Sequence, residues 1–248
     1  PPEHLHDGSK TPGRTPGRRG SSTPWKTPRR PLAKQFAFDG VLGSGATNDD
    51  VFAKCAPLVT SAAEGYNATI FAYGSTGSGK THSMIGPSDV LRDSASPARG
   101  IVPRAIELLF DSIRSHEGHR VYDVRLTFVE LYNDKFRDLL HIAPKSTTGG
   151  APCDMAAAGI SSAGNAHALE IKQDRMCGMQ LRGSHTLRKA VKNPTEALNL
   201  VLQGQSERTT AETKSNTHSS RSHAILCLDI ESTDVGPGAC CTRRSKLY

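Results

Sequence analysis

Residues 72–84 read AYGSTGSGKTHSM, a glycine-rich stretch that ends in a Lys-Thr pair and three further residues. Its central part, Gly74-Ser75-Thr76-Gly77-Ser78-Gly79-Lys80-Thr81, matches the phosphate-loop pattern G-x-x-x-x-G-K-[ST] at every position. Glycines allow the backbone to curl so that successive N–H groups face the oxygens of a phosphate. The stretch follows an apolar run, ATIFAY at 68–73, that is typical of a strand, and it precedes a predicted helix. This context predicts a loop that holds the terminal phosphates of a nucleotide.

Two side chains of this loop have expected roles. Lys80 would bridge the β- and γ-phosphates, and the Thr81 hydroxyl would bind Mg²⁺. The predicted helix begins at the loop, so its positive end would face the same anion. The alternative is a flexible Gly-Ser turn that matches the pattern by chance, and the strand-loop-helix context weighs against it.

Helix-type and strand-type segments alternate along the chain. Apolar residues at helical spacing mark 48–65, capped by Thr47 or Asn48, and also 101–113 and 193–205, and 133–140 is predicted as a short helix. Strand-type runs lie at 68–73, 121–132, 169–171, 179–183 and 222–232. This alternation predicts an α/β fold of the P-loop NTPase type, with a central β-sheet flanked by helices on both faces.

Composition divides the chain into an arm and a domain. Residues 1–35 are rich in Pro, Thr and Arg and carry eight basic and two acidic residues, so they hold +6 of the net charge of +7. We expect this arm to be disordered, 36–248 to form the domain, and 141–168, rich in Ala, Gly and Ser, to be a low-complexity insertion. The nearly neutral domain gives no support for a nucleic-acid groove, and no apolar run is long enough to predict a membrane span.

Several segments together resemble the kinesin motor domain. The phosphate loop with its preceding strand, YNATIFAYGSTGSGKTHSMIG, is similar to the corresponding kinesin stretch, and NTHSSRSHAIL at 216–226 resembles the kinesin switch I motif N-x-x-S-S-R-S-H. FAFDGV, GIVPRAIELLF, FVELYNDKFRDLL and GQSERTTAETKSN resemble kinesin segments in the same order. The resemblance covers 36–248, and it implies an ATP-binding motor domain that uses Mg²⁺ and moves along microtubules.

The resemblance assigns expected roles to the switch I residues. Ser220 would support Mg²⁺ beside Thr81, while Asn216 and Ser219 would line the γ-phosphate side. Arg221 would pair with an acidic residue of switch II, and these four form the expected catalytic set with the loop. A γ-phosphate would order such a hydroxyl-rich segment, which relaxes after hydrolysis. Taken alone, this serine-rich motif is equally well explained as a polar loop.

The adenine side of the site is expected at three residues. His82, just past the loop, resembles the kinesin residue that packs on adenine, with an ordinary surface histidine as the alternative. Arg30 and Pro31 match the end of the kinesin adenine-contacting motif R-x-R-P, although Pro28 replaces its first arginine. A chance match within a basic arm is the alternative for these two residues.

The resemblance also predicts an incomplete motor domain. The first kinesin strand is missing, and so are switch II and the main microtubule-binding elements that follow it. Hydrolysis by this chain is therefore left open, and the alternative function is a non-motor adaptor that binds nucleotide or tubulin without productive hydrolysis. Another phosphate-loop enzyme, such as a small-molecule kinase, is a third hypothesis. A cytoplasmic, cytoskeletal location follows from the motor interpretation, with tubulin as the partner.

Overall fold

The described part of the chain comprises residues 34–141, 169–174, 178–182, 188–214, 222–236 and 241–248 of a computed structural model. Two units are distinguished along the sequence, Pro1–Val41 and Leu42–Tyr248. In the first, only 34–41 are described, and each of these residues is exposed. The predicted arm and the predicted insertion fall almost wholly outside the described residues, so both stay predictions.

The second unit contains four α-helices, one short 3₁₀ helix and seven strands within the described residues. The helices are α1 (Asn48–Ala63), α2 (Lys80–Met84), α3 (Ile101–Ser115) and α4 (Pro194–Lys214), with the 3₁₀ helix at Ser88–Val90. The strands are β1 (Arg120–Tyr132), β2 (Lys135–Asp138), β3 (Glu170–Asp174), β4 (Gly178–Arg182), β5 (Lys189–Ala190), β6 (Ser222–Asp234) and β7 (Thr242–Leu247). The long helices and the strands β1, β3, β4 and β6 lie where the sequence predicts them.

Helix α1 begins with a capping box. The Thr47 hydroxyl accepts from the Asp50 N–H at 3.3 Å, and the Asp50 carboxylate accepts from the Thr47 N–H at 2.8 Å. Of the two predicted caps, Thr47 is therefore the one that caps the helix. At the other end Gly65 takes a φ of 107°, which favours glycine and stops the helix as predicted. Because the cap is Thr47, the Asn48 amide is left to bond outside its own helix.

The main sheet has the strand order β2-β1-β6-β7, with β5 also paired to β1, and every one of these pairs is antiparallel. The β1–β6 pair is in register over 13 residue pairs, from Arg120 opposite Asp234 to Tyr132 opposite Ser222. β3 and β4 form a separate antiparallel ribbon. The long β1–β6 ladder is thus the centre of the described sheet.

The predicted helix at 133–140 is wrong, because this segment is the second half of a β-hairpin. Asn133 and Asp134 both take left-handed φ values, 49° and 60°, which is the backbone of a two-residue type I′ turn. β2 then runs back along β1, with Lys135 opposite Tyr132. Asn and Asp are among the residues that tolerate this conformation. The turn they form therefore makes the segment a strand, although its apolar spacing predicts a helix.

The predicted strand at 68–73 is shorter in the structure. Ala68 forms a single parallel bridge with Leu247, with its N–H donating to Lys246 O at 2.9 Å. The Ile70 N–H donates to Tyr248 O at 2.8 Å, and beyond this bond Phe71 and Tyr73 are exposed.

One face of the main sheet carries the core. Val124, Leu126 and Phe128 of β1 are at most 5% exposed, and the register places Ile230 and Leu228 of β6 beside the first two on the same face. The helices α1, α3 and α4 pack side by side and contribute Val59, Ala62, Ile106, Leu109, Leu198 and Val201 to this core. The predicted helices on the opposite face are not among the described helices and stay a prediction.

Two contacts anchor the helix layer to the sheet. The Ser245 hydroxyl of β7 donates to Ala62 O of α1 at 2.6 Å, and Ser245 pairs with Ile230, so it lies on the core face. Gly204 of α4 lies directly against the Phe128 ring. No helix within the described ranges is long and apolar enough to cross a membrane.

Candidate nucleotide site

The loop at 74–79 has a backbone that requires its glycines. Gly77 and Gly79 take φ values of 80° and 89°, a region that side chains rarely adopt. A Cβ on Gly74 would lie 2.5 Å from the Ser78 hydroxyl oxygen, which is closer than any real contact. A larger residue at Gly74 would displace the Ser78 side chain, and larger residues at Gly77 and Gly79 would be strained by their φ values.

Lys80 is held under the loop by the backbone of the loop itself. Its Nζ donates to Gly74 O at 3.0 Å and to Ser75 O at 2.7 Å. An ammonium group has three N–H donors, so these two bonds fix its position and leave a third donor for another acceptor. A phosphate oxygen fits this remaining donor, since a charged donor bonds most strongly to an anionic acceptor.

The other loop residues with predicted roles lie open to solvent. Ser75, Thr76, Ser78, Thr81 and His82 are all exposed, whereas Lys80 is half-buried. Thr81 follows Lys80 in the first turn of α2, so its hydroxyl is available to a cation beside the same phosphate. Exposed hydroxyls and backbone N–H groups around a fixed ammonium suit a polyphosphate with its bound Mg²⁺.

Helix α2, which carries Lys80 and Thr81, is only five residues long and is tied to two other elements. The Asn48 amide donates to His82 O at 3.3 Å and also to Ala98 O at 3.2 Å, and the Gly100 N–H donates to Ile85 O at 3.0 Å. The sequence assigns Asn48 only a capping role, because a tertiary amide contact leaves no mark in the local pattern.

The loop and the first residue of β6 leave the sheet at the same edge. The segment that starts at Ala68 is parallel to β7, so it leads towards Gly74 at the carboxyl end of β7. Because β6 is antiparallel to β7, its first residue, Ser222, lies at this same end of the sheet. Gly74 lies six positions after Ala68, and Ser222 lies six positions before Leu228, which pairs with Leu247, the same residue that bridges Ala68. The described ends of both predicted motifs therefore extend from one edge of the sheet.

A buried charge cluster lies beside Ser222. Glu130 of β1 is 1% exposed and contacts Arg208 of α4 at 3.5 Å and Arg137 of β2 at 3.1 Å. The Arg208 guanidinium also donates to the Ser222 hydroxyl at 3.4 Å. A buried carboxylate needs such partners, because an unpaired one would carry a large desolvation cost. The cluster thus joins α4, β1, β2 and the start of β6 at the edge that carries the loop.

The remaining predicted site residues lie outside the described part of the chain. These are Arg30 and Pro31 on the adenine side and Asn216, Ser219, Ser220 and Arg221 in the switch-like motif. Their flanks are described: α4 ends at Lys214 and β6 begins at Ser222. The roles of these six residues stay predictions.

Similarity to known proteins agrees with this geometry. Residues 17–248 match the family description "Kinesin motor domain". The chain belongs to the kinesin family. Among similar curated kinesins, kinesin-like protein KIN-5B of Oryza sativa subsp. japonica is 34% identical over 206 residues, covering 82% of this chain and 18% of its own length. Human kinesin-like protein KIF27 is 35% identical over 196 residues, covering 79% of this chain and 12% of its own length.

A solved kinesin structure has the same fold. This structure, described as that of a fast kinesin, superposes with a TM-score of 0.67 at 28% identity, over 86% of this chain and 52% of the other. The predicted kinesin family and α/β fold class are thereby confirmed. The chain spans less than a fifth of the length of the two curated kinesins and about half of the solved chain.

Proposed function

We propose that this kinesin domain binds ATP with Mg²⁺ at the 74–81 loop and forms part of a microtubule-based motor. The observation that carries the proposal is the Lys80 ammonium, fixed by Gly74 O and Ser75 O with one donor remaining. Bound Mg²⁺ would neutralise phosphate charge as the terminal phosphate leaves. In this chain the loop binds and orients the phosphates, and the Thr81 hydroxyl is the proposed ligand for the cation.

The edge arrangement supports a second element of the proposal. Asn216 and Ser219 are proposed to line the γ-phosphate side, Ser220 to support Mg²⁺, and Arg221 to pair with an acidic residue of switch II. The segment that holds them leads into β6 at the end of the sheet where the loop emerges. His82, exposed just after the loop, is a proposed adenine contact, and the same role for Arg30 and Pro31 stays a prediction from the sequence. Tubulin is the proposed partner and the cytoskeleton the proposed location, as in kinesins generally.

Binding of a labelled ATP analogue to the purified chain, followed by fluorescence anisotropy, tests the nucleotide site. We expect saturable, Mg²⁺-dependent binding that Lys80→Ala abolishes, because no other described cation is bonded under the loop. A matched control is Lys54→Ala, which removes an exposed lysine on α1 and should leave binding unchanged. Equal affinity in the Lys80→Ala variant would refute the site.

The motor activity needs a separate measurement. We expect microtubules to raise the ATPase rate of the full-length protein, and Lys80→Ala to abolish that stimulation. ATP binding without any stimulation by microtubules would refute the motor and favour the adaptor function. Transfer of phosphate to a small molecule in place of water would point to a kinase.

A further inference from the structure

Helix α2 cannot maintain its own conformation. It has five residues, and isolated helices of that length are not stable in water because few hydrogen bonds offset the cost of nucleation. It nevertheless carries Lys80 and Thr81, whose directions it sets. Something outside α2 must therefore hold it in place.

The carboxyl end of α2 is irregular, and this leaves a carbonyl for an outside donor. In a continued α-helix the Gly86 N–H would donate to His82 O. Here it donates to Thr81 O at 3.1 Å, as does the Ile85 N–H at 2.8 Å. His82 O instead accepts from the Asn48 side chain at 3.3 Å. A carbonyl at the end of α2 is thus bonded by a residue 34 positions away in the sequence.

The Asn48 amide is well suited to this contact. Asn48 is buried, with 8% of its surface exposed. Its NH₂ group has two N–H donors, and it donates one hydrogen bond to His82 O and one to Ala98 O. Ala98 lies two residues before Gly100, whose N–H bonds Ile85 O and whose Cα hydrogen faces the Ile85 backbone too closely for a Cβ. One amide therefore joins α1, α2 and the segment that leads into α3.

We propose that Asn48 is a positioning residue for the nucleotide site, acting through the α2 backbone on Lys80 and Thr81. The inference depends on the proposed nucleotide function, since a ligand must be bound for the position of Lys80 to matter. Asn48 does not contact the ligand. It keeps α2 in the orientation in which the Lys80 ammonium reaches Gly74 O and Ser75 O.

Three variants of the chain test the proposal through ATP-analogue affinity. Asn48→Ala removes both bonds, and we expect the affinity to fall roughly tenfold. Asn48→Gln keeps the amide on a longer side chain, and we expect it to restore most of the affinity. Thr47→Ala is the matched control. It removes the α1 cap one residue away and lowers the free energy of unfolding, but it leaves both Asn48 bonds to the backbone in place.

Amide hydrogen exchange in the absence of nucleotide provides a second readout. We expect Asn48→Ala to speed exchange at the Ser83, Ile85 and Gly86 amides roughly tenfold relative to those of α3, and Thr47→Ala not to do so. Absence of ATP-analogue binding by the unmodified chain would refute the proposed function, and exchange would then still show whether Asn48 holds α2 in place. Unchanged α2 exchange in Asn48→Ala, or an affinity that falls equally in Thr47→Ala, would overturn it.

Discussion

Gly204 in α4 offers a test of how the helix layer packs on the sheet. Replacing a glycine inside a helix with alanine ordinarily stabilises a protein by about 1 kcal/mol, because alanine is the better helix former. Here the added Cβ would lie 2.2 Å from Phe128 Cδ1 and 2.7 Å from Cε1, whereas ordinary contact begins at 3.4 Å. The ring or the helix would have to move by about 1.2 Å to reach that separation.

The cost of this movement is expected to exceed the gain in helix propensity. Phe128 is 2% exposed, lies near the middle of the long β1–β6 ladder, and pairs with Leu226, so its ring has little room to retreat. Overpacking of a core costs about 1–3 kcal/mol, and the immobile ring places Gly204→Ala near the upper limit. We therefore expect a net loss of roughly 2 kcal/mol, or a melting temperature about 4–8 °C lower.

Urea unfolding followed by circular dichroism measures this difference, and a double-mutant cycle isolates its cause. Phe128→Leu alone should destabilise by leaving a cavity, whereas Phe128→Leu with Gly204→Ala should recover part of the loss because the new methyl group fills that space. A Gly204→Ala variant as stable as the parent, or strictly additive effects in the double variant, would refute the proposed clash.

Three further predictions concern pH, a turn and thiol reactivity. Arg120 donates to Glu64 at 2.9 Å and holds the pKa of that carboxylate below its ordinary value of 4.5. The ionised form of Glu64 thus favours the folded state at higher pH. Urea titrations should show the free energy of unfolding falling as pH drops below about 4.5, and falling by less in Glu64→Gln than in the parent chain. Asp134 has a φ of 60°, so Asp134→Gly should raise the free energy of unfolding by roughly 0.5 kcal/mol and Asp134→Ala should lower it; the reverse order would contradict the turn. Burial raises the pKa of Cys227 to about 12, so iodoacetamide at about pH 8 should label exposed Cys241 in peptide-resolved mass spectrometry and spare Cys227 until the chain unfolds; equal labelling of the two in the folded chain would contradict this burial.

Features that depend on neighbouring residues were predictable from the sequence. The phosphate-loop pattern specifies a backbone that only glycine adopts easily, and Gly77 and Gly79 have that backbone. The amphipathic spacing of α3 matches its buried face, and the alternation along β6 places Leu228 and Ile230 in the core. Each of these signals is contained within a few residues.

Features that depend on distant partners were decided by the tertiary structure alone. The hairpin turn at Asn133 and Asp134 overrode a helical pattern, since β2 pairs back along β1. The sequence identifies Glu130 only as a strand residue, whereas in the structure it is a buried charge with arginine partners. It identifies Asn48 only as a candidate helix cap, whereas in the structure its amide bonds α2, the helix after the loop. The identity of a polar side chain determines which hydrogen bonds it can make, but only the folded backbone determines which acceptor comes within reach.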